Sequence, residues 1–124
     1  MQSIHSVDTV PEKSLRHKLH SLGYRYRLHC KYLPGKPDIV FPARRKVIFV
    51  NGCFWHRHHC KRGKSTPATN RPFWLEKFEG NKKRDKRNRR DLRKLGWSVF
   101  TVWECQINKK PDWVMERVID FLES

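Results

Sequence analysis

Acid is scarce in this chain. Only 12 Asp and Glu stand against 28 Lys and Arg among 124 residues, which leaves a formal net charge of +16. So small and basic a chain predicts a polyanionic partner, nucleic acid before anionic lipid, and more than a need for solubility. Long apolar runs are missing too. None approaches the length that crosses a bilayer. The opening residues MQSIHSVDTVPEKS have no charged segment followed by an apolar one, so a secretory signal is not expected and a cytoplasmic location is. Cysteine is limited to four residues, which in a reducing compartment suggests metal or free thiols before disulfides. Internal repeats and long linkers are absent. The length suits one domain over 1–124, with 1–8 a flexible N-terminal segment.

What is present reads as an α/β chain. Thr9-Val10-Pro11-Glu12 has capping-box spacing, and Leu15, Leu19 and Leu22 follow at helical intervals until Gly23. Glu12 is first read as the capping acid. Its spacing from Leu15 also places it on the leucine face, which would turn it inward. Tyr24, Tyr26, Leu28 and Cys30 alternate with Arg25, Arg27, His29 and Lys31, which predicts a strand with one wet, basic face. After the turn Leu33-Pro34-Gly35-Lys36-Pro37, Asp38 opens the short apolar strand Ile39-Val40-Phe41. Lys46-Val47-Ile48-Phe49-Val50 is a continuous run and predicts a central buried strand. Residues 61–70 read as a loop and 72–95 as a helix, with Gly80 a candidate kink and Leu92 and Leu95 anchoring its end. Residues 97–104 predict a strand. Pro111 opens a last helix with Trp113, Val114, Val118, Phe121 and Leu122 on its apolar side. The first three strands are close enough for an antiparallel meander, and the fourth, returning after a helix, is expected to join in parallel.

The densest chemistry lies in GCFWHRHHC, residues 52–60. Cys53 and Cys60, one of the intervening histidines and the later Cys105 would make a tetrahedral Cys₃His zinc site, with His58 the chosen imidazole. Spacing alone does not decide among His56, His58 and His59, and the plainer reading is of buried cysteines acting as small hydrophobes. Asp38 could hold a hard cation at the rim of a sheet, or could be a turn residue after proline. The following strand, VIFVNG, lacks the second carboxylate and lysine that PD-(D/E)xK nucleases carry there. His56 is then the nearest group able to take a proton from an attacking water. Asp85, inside NKKRDKRNRRD, is by default a solvated ion-pair partner; the sharper reading is a carboxylate that orients a catalytic histidine.

PGKPDIVF, VIFVNGCFWHRHHC, TPATNRPFWLEKFEGNKKRD and LGWSVFTVWEC, in that order, resemble the very short patch repair (Vsr) mismatch endonucleases over about residues 8–107. The resemblance implies a restriction-endonuclease-like mixed sheet flanked by helices, with a structural zinc. It implies an enzyme that nicks one strand of double-stranded DNA 5′ to the thymine of a T·G mismatch left by deaminated 5-methylcytosine. Asp38 then corresponds to the Mg²⁺-binding aspartate, with the Val50 carbonyl completing the protein's part of that site. His56 corresponds to the general base, Asp85 to its carboxylate partner and Glu12 to a helix glutamate near the active site. Cys53, His58, Cys60 and Cys105 correspond to the zinc ligands. Phe54, Trp55 and Trp74 match a wedge inserted beside the mismatch, and Lys77 and Asn81 match positions that approach the mispair. Trp74 read without the resemblance is ordinary core. The family acts as a monomer, in bacterial cytoplasm on the nucleoid, with repair proteins as possible partners.

Two departures stand out. Asn51 occupies the place of a second active-site histidine, and an amide positions a water or phosphate but transfers no proton. Only residues 1–8 precede the first helix, where the family has an arm that reaches the minor groove. Weaker affinity or selectivity, or a chain trimmed at its start, would follow. Two other functions fit the same residues: a nickase of relaxed specificity tied to a restriction–modification or defence system, and a zinc-stapled DNA-binding module that has lost catalysis.

Overall fold

The computed structural model describes residues 10–52 and 71–124. The elements in chain order are α1 (Val10–Ser21), β1 (Arg27–Leu28), β2 (Ile39–Phe41), a 3₁₀ turn (Pro42–Arg44), β3 (Lys46–Asn51), α2 (Arg71–Lys94), β4 (Ser98–Trp103), α3 (Glu104–Lys109) and α4 (Pro111–Glu123). They build one mixed sheet of order β1-β2-β3-β4. The first two pairings are antiparallel, and β3 pairs β4 in parallel from Lys46↔Ser98 to Asn51↔Trp103. This is the meander with a parallel return that the strand spacing predicts.

Alternation along the strands sorts the core into two layers. Ile39, Phe41, Ile48 and Val102 face one side and pack with Leu15 and Leu19 of α1, Ile107 of α3, and Val114, Val118 and Leu122 of α4. Val40 and Val47 face the other side, with Leu92 of α2, Leu33 and Cys30. The continuous run in β3 is apolar on both faces because both faces are covered. Full burial of each large side chain contributes about 1.5–3 kcal/mol.

Several details differ from the sequence reading. The alternating segment over 24–31 yields only two strand residues, because His29 takes φ 48°, a left-handed conformation that reverses the phase. Leu28 is consequently exposed and Cys30 buried. Leu22 lies beyond the end of α1 and is exposed, as is Leu95 beyond α2, while Leu92 is buried. Gly80 neither breaks nor ends α2. Trp113 is also exposed; its ring lies under Lys110 and Arg117, which accounts for an aromatic at that surface. Helix α3 follows β4 directly where only a strand end was expected.

Gly35 fixes the loop between β1 and β2. Its φ is +78°, and a Cβ there would lie 3.0 Å from the Asn88 side chain of α2. Gly23, the residue after the α1 cap, has φ +91° but nothing within 4 Å. Each substitution by alanine is expected to cost about 1–2 kcal/mol for the left-handed backbone, read by chemical denaturation. Gly35→Ala should lose more than this backbone cost, since only it also drives the loop over 31–38 against the Asn88 side chain of α2. Equal losses in the two variants would refute this role for Gly35.

Candidate active site

The carboxyl ends of β3 and β4 lie together, at the same edge as the start of antiparallel β2. In open α/β sheets, clefts that take ligands form at such strand ends. Here a cleft of about 590 Å³ opens between this edge, the loop over 31–38 and α2. Asp38, Val50, Asn51, Asn81 and Asp85 all line it. Five residues chosen from separate stretches of sequence thus meet at one place. Lys31, Lys36, Arg84 and Arg89 also line the cleft and give it the charge that a phosphodiester backbone needs.

Asp38 is held by the backbone. The Val50 N–H donates to its Oδ2 at 2.6 Å. A strand residue turns its N–H and C=O toward the same edge. The Val50 carbonyl therefore faces the Asp38 side, beyond the end of β2. Asn51 is 7% exposed and is the last residue of β3, so its amide is built into the floor of the cleft. Asn81 is also buried, and Arg84, one turn on, donates to its Oδ1. Lys77 is exposed one turn earlier. Trp74 is half-buried, 5.4 Å from Phe73 edge-on and 6.0 Å from Phe78.

Glu12 takes the inward alternative. It is 2% exposed, and its Oε2 accepts from Arg16 Nη1 at 3.0 Å and lies 3.0 Å from His29 Nε2. His29 Nδ1 is in turn 3.9 Å from Asp38 Oδ1. His29 is the residue that reading the sequence missed. The alternation placed it among solvated cations. The available signal was hairpin register: with Arg27 opposite Val40 and Leu28 opposite Ile39, the next pair is His29 and Asp38. The His29 N–H does donate to the Asp38 carbonyl at 3.0 Å. The hydroxyl of the exposed Tyr32 is pushed above its ordinary value, first by its hydrogen bond with Cys30.

Cys53, Phe54, Trp55, His56, His58 and Cys60 lie outside the described residues. Cys105 is half-buried in the first turn of α3. It follows Trp103 by two residues, and Trp103 pairs with Asn51, which precedes Cys53 by two residues in sequence.

The family model described as DNA mismatch endonuclease Vsr matches residues 1–62. The DNA mismatch endonuclease Vsr of Escherichia coli (strain K12) is 43% identical over 123 residues, 99% of this chain and 78% of that protein. The chain belongs to the Vsr family. Two further relatives are the type II nicking enzymes V.XorIIP of Xanthomonas oryzae pv. oryzae and V.NmeAIP of Neisseria meningitidis serogroup A. The first is 51% identical over 108 residues, covering 87% of this chain and 79% of the relative. The second is 44% identical over 110 residues, covering 89% and 78%. As a Vsr family member the protein is a DNA endonuclease. Among the described residues, no helix is long and apolar enough to cross a membrane.

Proposed function

We propose that the protein nicks one strand of duplex DNA 5′ to the thymine of a T·G mismatch, by Mg²⁺-assisted phosphodiester hydrolysis. The observation that carries this reading is the convergence of Asp38, Val50, Asn51, Asn81 and Asp85 on one cationic cleft. The donor set suits a hard cation: a carboxylate whose far oxygen is tied down by the Val50 amide, beside a backbone carbonyl turned the same way. When bound, Mg²⁺ polarises the scissile phosphate and stabilises the leaving oxygen. The chain does the rest. Asp38 and Val50 would hold the ion, and the cationic rim would draw the DNA backbone over them. The Asn51 amide would orient a water or a phosphate oxygen. His56 would accept the proton of the attacking water, with Asp85 fixing its ring. Glu12 would act from beneath, through its contact with His29.

Zinc, bound by Cys53, His58, Cys60 and Cys105, would fix the segment that carries His56. The matching two-residue steps from Asn51 to Cys53 and from Trp103 to Cys105 support this set. Stoichiometric zinc in the purified protein is the expected result of elemental analysis, and its absence would reject the site. Phe54, Trp55 and Trp74 would form the wedge, with Lys77 and Asn81 approaching the mispair. The protein would act as a monomer in the bacterial cytoplasm, alongside repair proteins.

The test uses labelled duplexes with T·G, C·G or T·A at one position and Mg²⁺ present. The expected outcome is a nick in the T·G duplex alone. Equal nicking of all three would favour a nickase of relaxed specificity, a reading suggested by the similarity to proteins named as nicking enzymes. Tight binding with no nick would leave a DNA-binding module.

A further inference from the structure

One cluster at the cleft's inner edge has a composition that the Mg²⁺ reading does not need. Ligand atoms of Glu12, His29 and Asp38 lie within 4.8 Å of one another. The imidazole sits between the carboxylates, its Nε2 3.0 Å from Glu12 Oε2 and its Nδ1 3.9 Å from Asp38 Oδ1. Octahedral donors about 2.1 Å from an ion stand about 3 Å apart when adjacent and about 4 Å apart when opposite. One ion takes only one nitrogen of an imidazole, so the three residues share it by offering one atom each, and separations within 4.8 Å ask for a small inward shift to reach that spacing.

The three groups come from different elements, and each is anchored. Arg16 holds Glu12 from its own helix. The Val50 amide holds Asp38 Oδ2, which leaves Oδ1 facing His29. His29 is itself set by a left-handed backbone and by its N–H bond to the Asp38 carbonyl. A non-glycine residue in that conformation is costly, and such strain persists where the surroundings require it. The strain here brings an imidazole to a carboxylate pair.

Imidazole nitrogen is a poor ligand for Mg²⁺ and a good one for later first-row divalent metals. We propose that His29, with Glu12 and Asp38, makes this a mixed nitrogen–oxygen site that holds a first-row divalent metal such as Co²⁺ more tightly than Mg²⁺. The inference rests on the reading of Asp38 as the metal-binding aspartate and adds His29 as a ligand.

The test uses zinc-loaded protein titrated with Co²⁺, and with Mg²⁺ in competition. Binding is followed by calorimetry and by paramagnetic NMR. A thiolate charge-transfer band would flag any Co²⁺ that had entered the cysteine site, and such samples are excluded. Wild type should bind one Co²⁺ and show a hyperfine-shifted imidazole N–H resonance. His29→Gln should remove that resonance and weaken Co²⁺ by about tenfold or more, while Mg²⁺ affinity changes far less. Asp38→Asn should weaken both ions. Unchanged Co²⁺ affinity in His29→Gln, with Asp38→Asn still weakening both, would overturn His29 as a ligand and leave the Asp38 reading standing; an imidazole that only bridges two carboxylates would behave so. Unchanged binding of both ions in Asp38→Asn would overturn the Asp38 reading instead.

Discussion

Asp38→Asn is expected to stop cleavage while leaving the fold and DNA binding in place. Asn keeps a carbonyl oxygen where Oδ2 accepts from the Val50 N–H, so the 2.6 Å contact survives in neutral form. Its stability should stay within about 1 kcal/mol of wild type. The charge that would hold the metal is gone. Metal ions contribute several kcal/mol to a phosphoryl transition state, so single-turnover nicking should fall by about a thousandfold or more. DNA affinity should hold or rise slightly, because a carboxylate no longer faces the phosphates. Asp38→Ala should cleave as poorly but be less stable, by about 1–3 kcal/mol, since the Val50 N–H is then left without its acceptor. The pair separates chemistry from folding. If Asp38→Asn kept a tenth of the wild-type rate, Asp38 would not be the metal-binding aspartate.

Parts of this site are legible in the sequence because they depend on short-range pattern. A four-residue β-branched and aromatic run, Val47 to Val50, soon after a Pro-Ala-Arg-Arg turn reads as a strand covered on both faces, and β3 is one. Its end then places Val50 and Asn51 at a sheet edge. Asp85 is legible for the opposite reason: an acid among so many cations stands out, and α2 turns it toward the cleft. Glu12 and His29 are harder. Helical spacing made Glu12 compatible with both a cap and a buried position. Only the packing of α1 against the sheet, through Leu15 and Leu19, decides for the buried one. His29 depends on a single left-handed residue, which no alternation can forecast, because histidine adopts it here for tertiary reasons. Trp113 errs in the same way. Its spacing in α4 suits the core, but Lys110 and Arg117 offer its ring a place at the surface.

The second large effect concerns stability alone. Lys46 is only 9% exposed, although lysine is seldom buried. Its ammonium donates to the carbonyls of Phe121 at 2.6 Å and Leu122 at 3.1 Å, to the main-chain oxygen of Ser124 at 2.9 Å, and to Ser124 Oγ at 3.2 Å. These include carbonyls of the last turn of α4, which have no donor within the helix. A cation there also meets the negative end of the helix dipole. The first residue of β3 thus caps the last helix of the chain. Lys46→Met keeps the stem against Phe121 but removes the donor these oxygens share, leaving Arg44 Nη1 on the Leu122 carbonyl and Ser124 Oγ on that of Phe121. The expected loss is about 1–3 kcal/mol, read as a lower denaturation midpoint with an unchanged slope. Cleavage under conditions where both proteins are folded should not change, because Asn51 lies about 17 Å away at the other end of the strand. A variant that melts with wild type would mean that water satisfies the end of α4 and that Lys46 is buried for another reason. A variant that is stable but slow would mean that strain at the start of β3 reaches Asp38 through the strand.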